Sequence, residues 1–335
     1  MKEAIVAPGT KVNIIDSPIP KPNADQVLIK VVVSGSNPKD WKVPDWRQIT
    51  MNPGDDIAGF VEEVGSNVTE FKPGDRVAAF HEILSPHGSF AEYAIAWQHT
   101  TFHIPQKTTF EEGAAIPLAA MTAAVGLYAR LGLPQPWTPA TGPIPLVIYG
   151  AASSVGAYAV QFARKSNIHP LICVAGHSKP YVETLIDRSK GDTIIDYRDG
   201  DDAVVEGLKK VAGESKLLYA FDSTSEKNSY VNVSKVLAEG AKITLVLPPK
   251  DYEFPSYVTQ SVTLVGSVHS DEKDFGYVYF RYIGRSLQES WFKAQPQVVV
   301  PGGLSGLQKG LEDLKAGKAH GIKYVFRIAD TEEVQ

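Results

Sequence analysis

Leu146-Val-Ile-Tyr-Gly-Ala-Ala-Ser-Ser-Val-Gly156, continuing into Ala157-Tyr-Ala-Val-Gln-Phe-Ala163, reads as a buried strand, a tight turn of small residues and a helix in immediate succession. A helix start exposes unpaired backbone N–H groups and the positive end of its dipole, and so attracts an anion. Only small side chains in the turn let a phosphate come that close. Gly150, Ala152, Ser153, Ser154, Val155 and Gly156 are therefore candidate contacts for the diphosphate of a dinucleotide. The spacing departs from Gly-x-Gly-x-x-Gly, with Ser153 in a slot where glycine is often found, and a ligand-free strand–helix junction is the competing reading. Position favours the ligand, because the turn follows the first strand of a long β-α series.

That series sets the fold class, α/β. Strands are expected at 146–149, 171–175, 193–197, 217–221, 242–247 and 262–268, separated by amphipathic runs such as Ala203 to Val211 and Asn228 to Leu237. Repeated β-α units imply a doubly wound, parallel, six-stranded sheet. Ahead of it, segments at 27–33, 57–64, 76–80 and 90–95 are rich in β-branched and aromatic residues, with Pro-Gly-Asp turns at Pro53 and Pro73, so the front half is mostly β. A capping box in Thr108-Thr-Phe-Glu-Glu112 opens an apolar helical run through Met121 to Tyr128. The tail predicts a helix over 280–292, a strand at 298–300, a helix over 304–314 and a last strand over 322–328 that returns to the front domain. The domains are thus 1–117 with 279–335, and 118–278.

With 335 residues, 43% hydrophobic and 21% charged, the chain has the composition of a globular protein of two domains. A net charge of −5 with no Lys/Arg cluster argues against nucleic acid and anionic membranes and leaves small molecules as ligands. The first residues lack the apolar core of a secretory signal and no stretch is long and apolar enough to span a bilayer, so a cytoplasmic protein is expected. The single cysteine, Cys173, excludes an internal disulfide and reads as a buried strand thiol.

The second strand of the series ends Val174-Ala-Gly-His-Ser-Lys179, without the acid that holds the ribose hydroxyls of NAD. Ser178, Lys179 and Tyr197 offer a hydroxyl, an ammonium and a phenol to a 2′-phosphate, so NADPH is the expected cofactor.

The segments Ser36-Asn-Pro-Lys-Asp-Trp-Lys42, Pro53-Gly-Asp-Asp-Ile-Ala-Gly59, Pro73-Gly-Asp-Arg-Val77, Gly88-Ser-Phe-Ala-Glu-Tyr93 and the Gly150 turn, in that order, resemble the medium-chain dehydrogenase/reductase superfamily. Asn-Pro-x-Asp-Trp-Lys and the ending Gly317-Lys-Ala-His-Gly-Ile-Lys323 are similar to its zinc-free quinone and enoyl reductase branch, with fungal trans-acting enoyl reductases nearest in pattern. The resemblance implies a GroES-like β domain with the Rossmann nucleotide domain inserted, and a monomer or a homodimer paired through the strand 262–268. It implies no metal: the Gly-His-Glu turn of zinc-binding relatives is here Gly54-Asp55-Asp56, and His81, His87 and Asp56 match no metal-ligand spacing.

Without a Lewis acid, hydride transfer to a simple carbonyl leaves an alkoxide that hydrogen bonds alone must stabilise, whereas addition to a conjugated C=C or a quinone spreads the charge into an enolate. The expected activity is therefore NADPH-dependent reduction of an enone, enoyl group or quinone. Aldehyde reduction, trans-acting enoyl reduction in a polyketide pathway and NADPH binding without turnover are the alternatives. The resemblance implies Lys42 as first catalytic candidate, with Asn37 as amide donor and Asp40 positioning Lys42. It implies Thr122 and Lys323 as further cofactor contacts, and Leu247 and Val268, at the ends of later sheet strands, are expected to touch the cofactor through backbone groups.

Overall fold

The computed structural model describes residues 1–332. In chain order the elements are β1 (Lys2–Ala7), β2 (Lys11–Asp16), β3 (Gln26–Gly35), α1 (Lys39–Arg47), β4 (Asp56–Val64), β5 (Arg76–Phe80), β6 (Tyr93–Trp97), β7 (Thr101–His103), α2 (Phe110–Ala114) and α3 (Pro117–Ala124). There follow β8 (Leu146–Tyr149), α4 (Ser154–Lys165), β9 (Leu171–Ala175), α5 (Lys179–Glu183), β10 (Thr193–Asp196), α6 (Asp201–Ala212), β11 (Tyr219–Asp222), α7 (Ser229–Ser234), β12 (Lys242–Leu245) and β13 (Thr259–Val262). The tail adds α8 (Lys273–Gln288), β14 (Gln297–Val299), α9 (Leu307–Lys315) and β15 (Lys323–Arg327).

Two compact units result, residues 1–118 with the tail from Gly266, and Ala119–Val265. In the first, a sheet of order β14-β15-β3-β4-β5-β7, with β6 also on β3, packs Val27, Ile29, Ile57, Val77, Phe90 and Phe326 into a core closed by Leu307 and Leu311 of α9. β3 exposes only Lys30, while the second half of β4 alternates, with buried Val61 between exposed Phe60 and Glu62, the period of a strand wet on one face. In the second, six parallel strands run β10-β9-β8-β11-β12-β13. β8 and β9 are buried along their whole length, as strands covered on both faces must be. Cys173 lies on β9 without exposure, and burial pushes its thiol above the ordinary range.

Local signals misplaced some boundaries. The expected strand 262–268 is β13 only to Val262, and Val265–His269 is a 3-10 turn. Its partner β12 ends at Leu245, and after the Thr263 amide has bonded the Leu245 carbonyl no ladder remains to extend it. The expected helix 280–292 is α8, which starts earlier because its inward stripe of Gly276, Tyr279, Phe280, Ile283 and Leu287 begins ahead of Phe280. The capping box closes on Thr109 and Glu112, but Pro117 cannot donate, so α2 stops at Ala114 and a new helix begins. The strand expected at 90–95 is β6, while Ala91 makes an isolated bridge to Glu3.

Candidate active site

The small-residue turn lies at the carboxyl end of β8, the strand flanked by β9 and β11. Gly150 has φ of 76°, and a Cβ there would strike Thr224 and Ser223; a Cβ on Gly156 would overlap the Gly150 carbonyl oxygen. The cradle is thus closed to larger residues by backbone as well as by side chains. Ser153 caps α4, its Oγ accepting from the Gly156 amide at 3.0 Å and sharing a 3.0 Å hydrogen bond with Ser223 Oγ. Ser223 donates in turn to the Tyr149 carbonyl at 2.7 Å. Ser154, Val155 and Gly156 form the first turn of α4, with Ala152 directly before the cap. Ser223 and Thr224, beside the turn, were missed in the sequence, where the available signal was the Ser-Thr-Ser run directly after a strand. Thr224 is held by the buried Asp222, which accepts from the Thr224 and Ser225 amides at 3.0 and 2.8 Å; burial raises its carboxyl above the usual range.

Ser178 and Lys179 follow β9 at the start of α5, and Tyr197 follows the neighbouring strand β10. The Tyr197 ring, just past β10, lies so close to Gly176 that any Cβ there would collide with it. Lys179 Nζ pairs with Asp196 Oδ2 at 2.8 Å, and Asp196 also takes two nitrogens of Arg198, Nη2 to Oδ2 at 2.5 Å and Nε to Oδ1 at 2.9 Å. The second strand carries no acid, as read, but the third ends in one, and Arg198 offsets it with a second cation. Elsewhere in this unit Thr122 is buried on α3, and Leu247 lies half-buried beyond β12.

In the front unit Asp55 and Asp56 sit side by side where β4 begins, and the alternation of a strand turns them to opposite faces. Asp56, without exposure, accepts from Leu118 N at 2.7 Å, Asn37 Nδ2 at 2.8 Å and Lys323 Nζ at 2.5 Å; Lys323 also reaches Asn37 Oδ1 at 3.0 Å. On the other face Lys39 Nζ meets Asp55 Oδ2 at 2.5 Å, Asp40 Oδ1 at 3.0 Å and the Pro53 carbonyl. Asp55 Oδ1 meets His81 Nδ1 at 2.9 Å. Burial disfavours the Lys39 ammonium, but Asp55 and Asp40 outweigh it and hold its pKa above the ordinary lysine value. Burial raises Asp55 too, and there Lys39 and His81 win and hold its carboxyl low. At Asp40 burial prevails over Lys39, and its carboxyl is pushed up to about 7.

The candidate residues thus fall into separate environments. Asn37 and Lys323 share one buried network. Asp40 does not position Lys42: its carboxylate is held by Lys39 and by the Asn37 amide at 2.7 Å. Residues two apart on a helix do not share a face, and Lys42 instead lies over Trp41 and Trp46, 5.5 Å from each ring centroid. Val268 is not at the end of a strand but in the 3-10 turn, where its carbonyl accepts from His99 Nε2 at 2.9 Å. Lys39 was passed over because it fills the variable position of Asn-Pro-x-Asp-Trp-Lys, and His81 was weighed only as a metal ligand. Among the described residues no three His, Cys, Asp or Glu side chains group to hold a metal ion, and no helix is long and apolar enough to cross a membrane.

A sheet-based front unit and a parallel six-stranded unit with a small-residue turn after its first strand define a medium-chain dehydrogenase/reductase. Residues 23–106 match the alcohol dehydrogenase GroES-like domain. The chain is 54% identical to the trans-enoyl reductase fsr4 of Gibberella fujikuroi, over 91% of this chain and 92% of that one. It is 31% identical to the trans-enoyl reductase resD of Aspergillus sclerotiorum, over 96% and 98%. The structure of the quinone oxidoreductase from Coxiella burnetii superposes with a TM-score of 0.74 at 21% identity, covering 98% of this chain and 99% of that one. The chain belongs to the trans-enoyl reductase family of this superfamily. Its reductase fold implies a nicotinamide cofactor, which the glycine cradle and the cationic cluster beside Tyr197 fit.

Proposed function

We propose that this chain is an NADPH-dependent reductase of an activated C=C bond, acting on an α,β-unsaturated acyl group or a related enone. The kinship with fungal trans-enoyl reductases supports the bond reduced, and the turn from Gly150 to Gly156 carries the dinucleotide reading. The cofactor, when bound, supplies the hydride for the β-carbon of the double bond. The chain's part is to hold and to protonate. Ser153, Ser154, Val155 and Gly156 receive the diphosphate, while Lys179, Ser178, Tyr197 and Arg198 receive the 2′-phosphate, an arrangement that favours NADPH because an ammonium and a guanidinium offer it charge-assisted donors beside the carboxylates of Asp196 and Asp199. Thr122, Leu247, Val268 and Lys323 are the remaining cofactor contacts in this reading. Lys42 orients the cofactor and Asn37 hydrogen-bonds the acyl carbonyl.

The test is NADPH oxidation with an enoyl thioester, an enone, a quinone and an aldehyde, alongside binding of NADPH and NADH by calorimetry. Turnover of the enoyl compound with tighter NADPH binding is expected, and Lys179→Ala should narrow the NADPH preference by about tenfold or more. Oxidation with the aldehyde alone, or binding without any oxidation, would overturn the proposal.

A further inference from the structure

The order of the parallel sheet fixes where a ligand can lie. From β8 the chain steps to β9 and β10 on one side and returns to β11 on the other, and a sheet of this kind opens a crevice at the carboxyl ends of the two strands where the direction changes. The Gly150 turn follows β8 and residues 223–228 follow β11, so these two loops are the walls of that crevice.

The walls are tied together. Ser223 Oγ lies 2.7 Å from the Tyr149 carbonyl oxygen and 3.0 Å from that of Gly150, and since a carbonyl has no proton to give, the hydroxyl donates to them. With its one proton spent, Ser223 accepts from Ser153 Oγ at 3.0 Å. Ser153 in turn accepts from the Gly156 amide with its hydroxyl and donates its own amide to the Gly150 carbonyl at 2.8 Å. Both polar protons of Ser153 are thus spent within the unit. Thr224 presses on the same turn: a Cβ on Gly150 would come within 2.5 Å of its methyl group.

The second wall is held out of its relaxed shape. Ser225, Lys227 and Asn228 have φ of 55°, 51° and 63°, three left-handed residues in a run of four without a glycine. Such backbone persists only where its surroundings enforce it, and it collects at ligand sites. Asp222, without exposure, enforces it: its carboxyl accepts from the Thr224 hydroxyl at 3.0 Å and from the Ser229 hydroxyl, besides the Thr224 and Ser225 amides. Ser225 Oγ also takes the Val246 amide at 2.9 Å, and Asn228 Nδ2 donates to Asp201 at 2.9 Å.

The geometry points to Ser223 as a positioning residue for the cofactor, bracing the Gly150 turn through Ser153, with Asp222 fixing the loop that follows. This rests on the dinucleotide reading proposed above and deepens it at Ser153. The serine in the glycine slot of the fingerprint serves the diphosphate by shaping the turn, while its hydroxyl points to the brace.

Cofactor binding and amide exchange test this. Calorimetric dissociation constants for NADPH and NADH should both rise about tenfold in S223A and in S153G, the change that restores the fingerprint glycine; S223T, which keeps the hydroxyl, should bind as the parent does. Because Ser153 acts through Ser223, the double variant S153G/S223A should lose about tenfold in all and not about a hundredfold. Parent-like affinity in either single variant, additive losses in the double, or a loss confined to NADPH would overturn the brace. S153G carries the test by itself should S223A not fold, since a glycine N-cap costs a helix little. In the ligand-free chain, hydrogen exchange at the Gly156 amide, followed by NMR, should quicken about tenfold in S223A as Ser153 loses its anchor, and unchanged exchange would equally overturn the brace. A parent chain that binds neither nucleotide would instead fall on the dinucleotide reading, with exchange at Gly156 still deciding whether Ser223 holds the turn.

Discussion

Replacing Asp40 by asparagine tests the electrostatics of the front unit most directly. The carboxyl has no exposure, and burial together with the Asp55 charge moves it from 3.8 to about 7 against the pull of Lys39. A raised acid pKa means that the folded chain holds the proton more tightly than the unfolded chain. Stability from this group is therefore present below about pH 4 and is lost as the pH climbs through 7. At 1.4 kcal/mol per tenfold change in proton affinity, the loss at pH 8 is about 4 kcal/mol. An amide cannot ionise, so D40N escapes that loss, although it keeps one acceptor oxygen where the carboxylate has two. The stability difference between D40N and the parent should swing by about 4 kcal/mol in favour of D40N between pH 4 and pH 8. In a unit of this size that is a swing of roughly 10 °C in Tm. Thermal melts across the pH range measure it, and hydrogen exchange of the amides in α1 isolates the local contribution, since two units need not unfold together. A difference that is flat with pH, or that favours the parent at pH 8, would show that the Lys39 ion pair outweighs burial.

Lys323→Met removes the ammonium from Asp56, which has no exposure, and should cost about 3–5 kcal/mol; adding Asp56→Asn, which removes the unpaired charge but keeps an acceptor for the Leu118 amide, should restore part of the lost Tm, and equal Tm values for the single and double variants would refute the account. Gly156→Ala pushes a methyl group into the Gly150 carbonyl and should weaken NADPH binding at least tenfold by calorimetry while the circular dichroism spectrum stays native; parent-like affinity would mean that the turn does not approach the ligand closely.

What the sequence determined by itself is what short range determines. The period of apolar residues called for six parallel strands, the Gly150 turn announced itself by residue size, the strand setting of Cys173 foretold its burial, and the Ser178–Lys179 stretch and Tyr197 follow neighbouring strands because adjacent β-α units place them there. Tertiary structure alone decided what depends on a partner far along the chain. Lys323 reads as a tail lysine until it is seen bonded to Asp56, 267 residues away. Strand 262–268 reads as extended until β12 ends and leaves its last residues nothing to pair with. Nothing in the sequence marks Lys39 or His81 as buried, because a charge becomes costly, and therefore informative, only once folding has removed its water. A linear pattern records which face a residue takes, and not which residue meets it there.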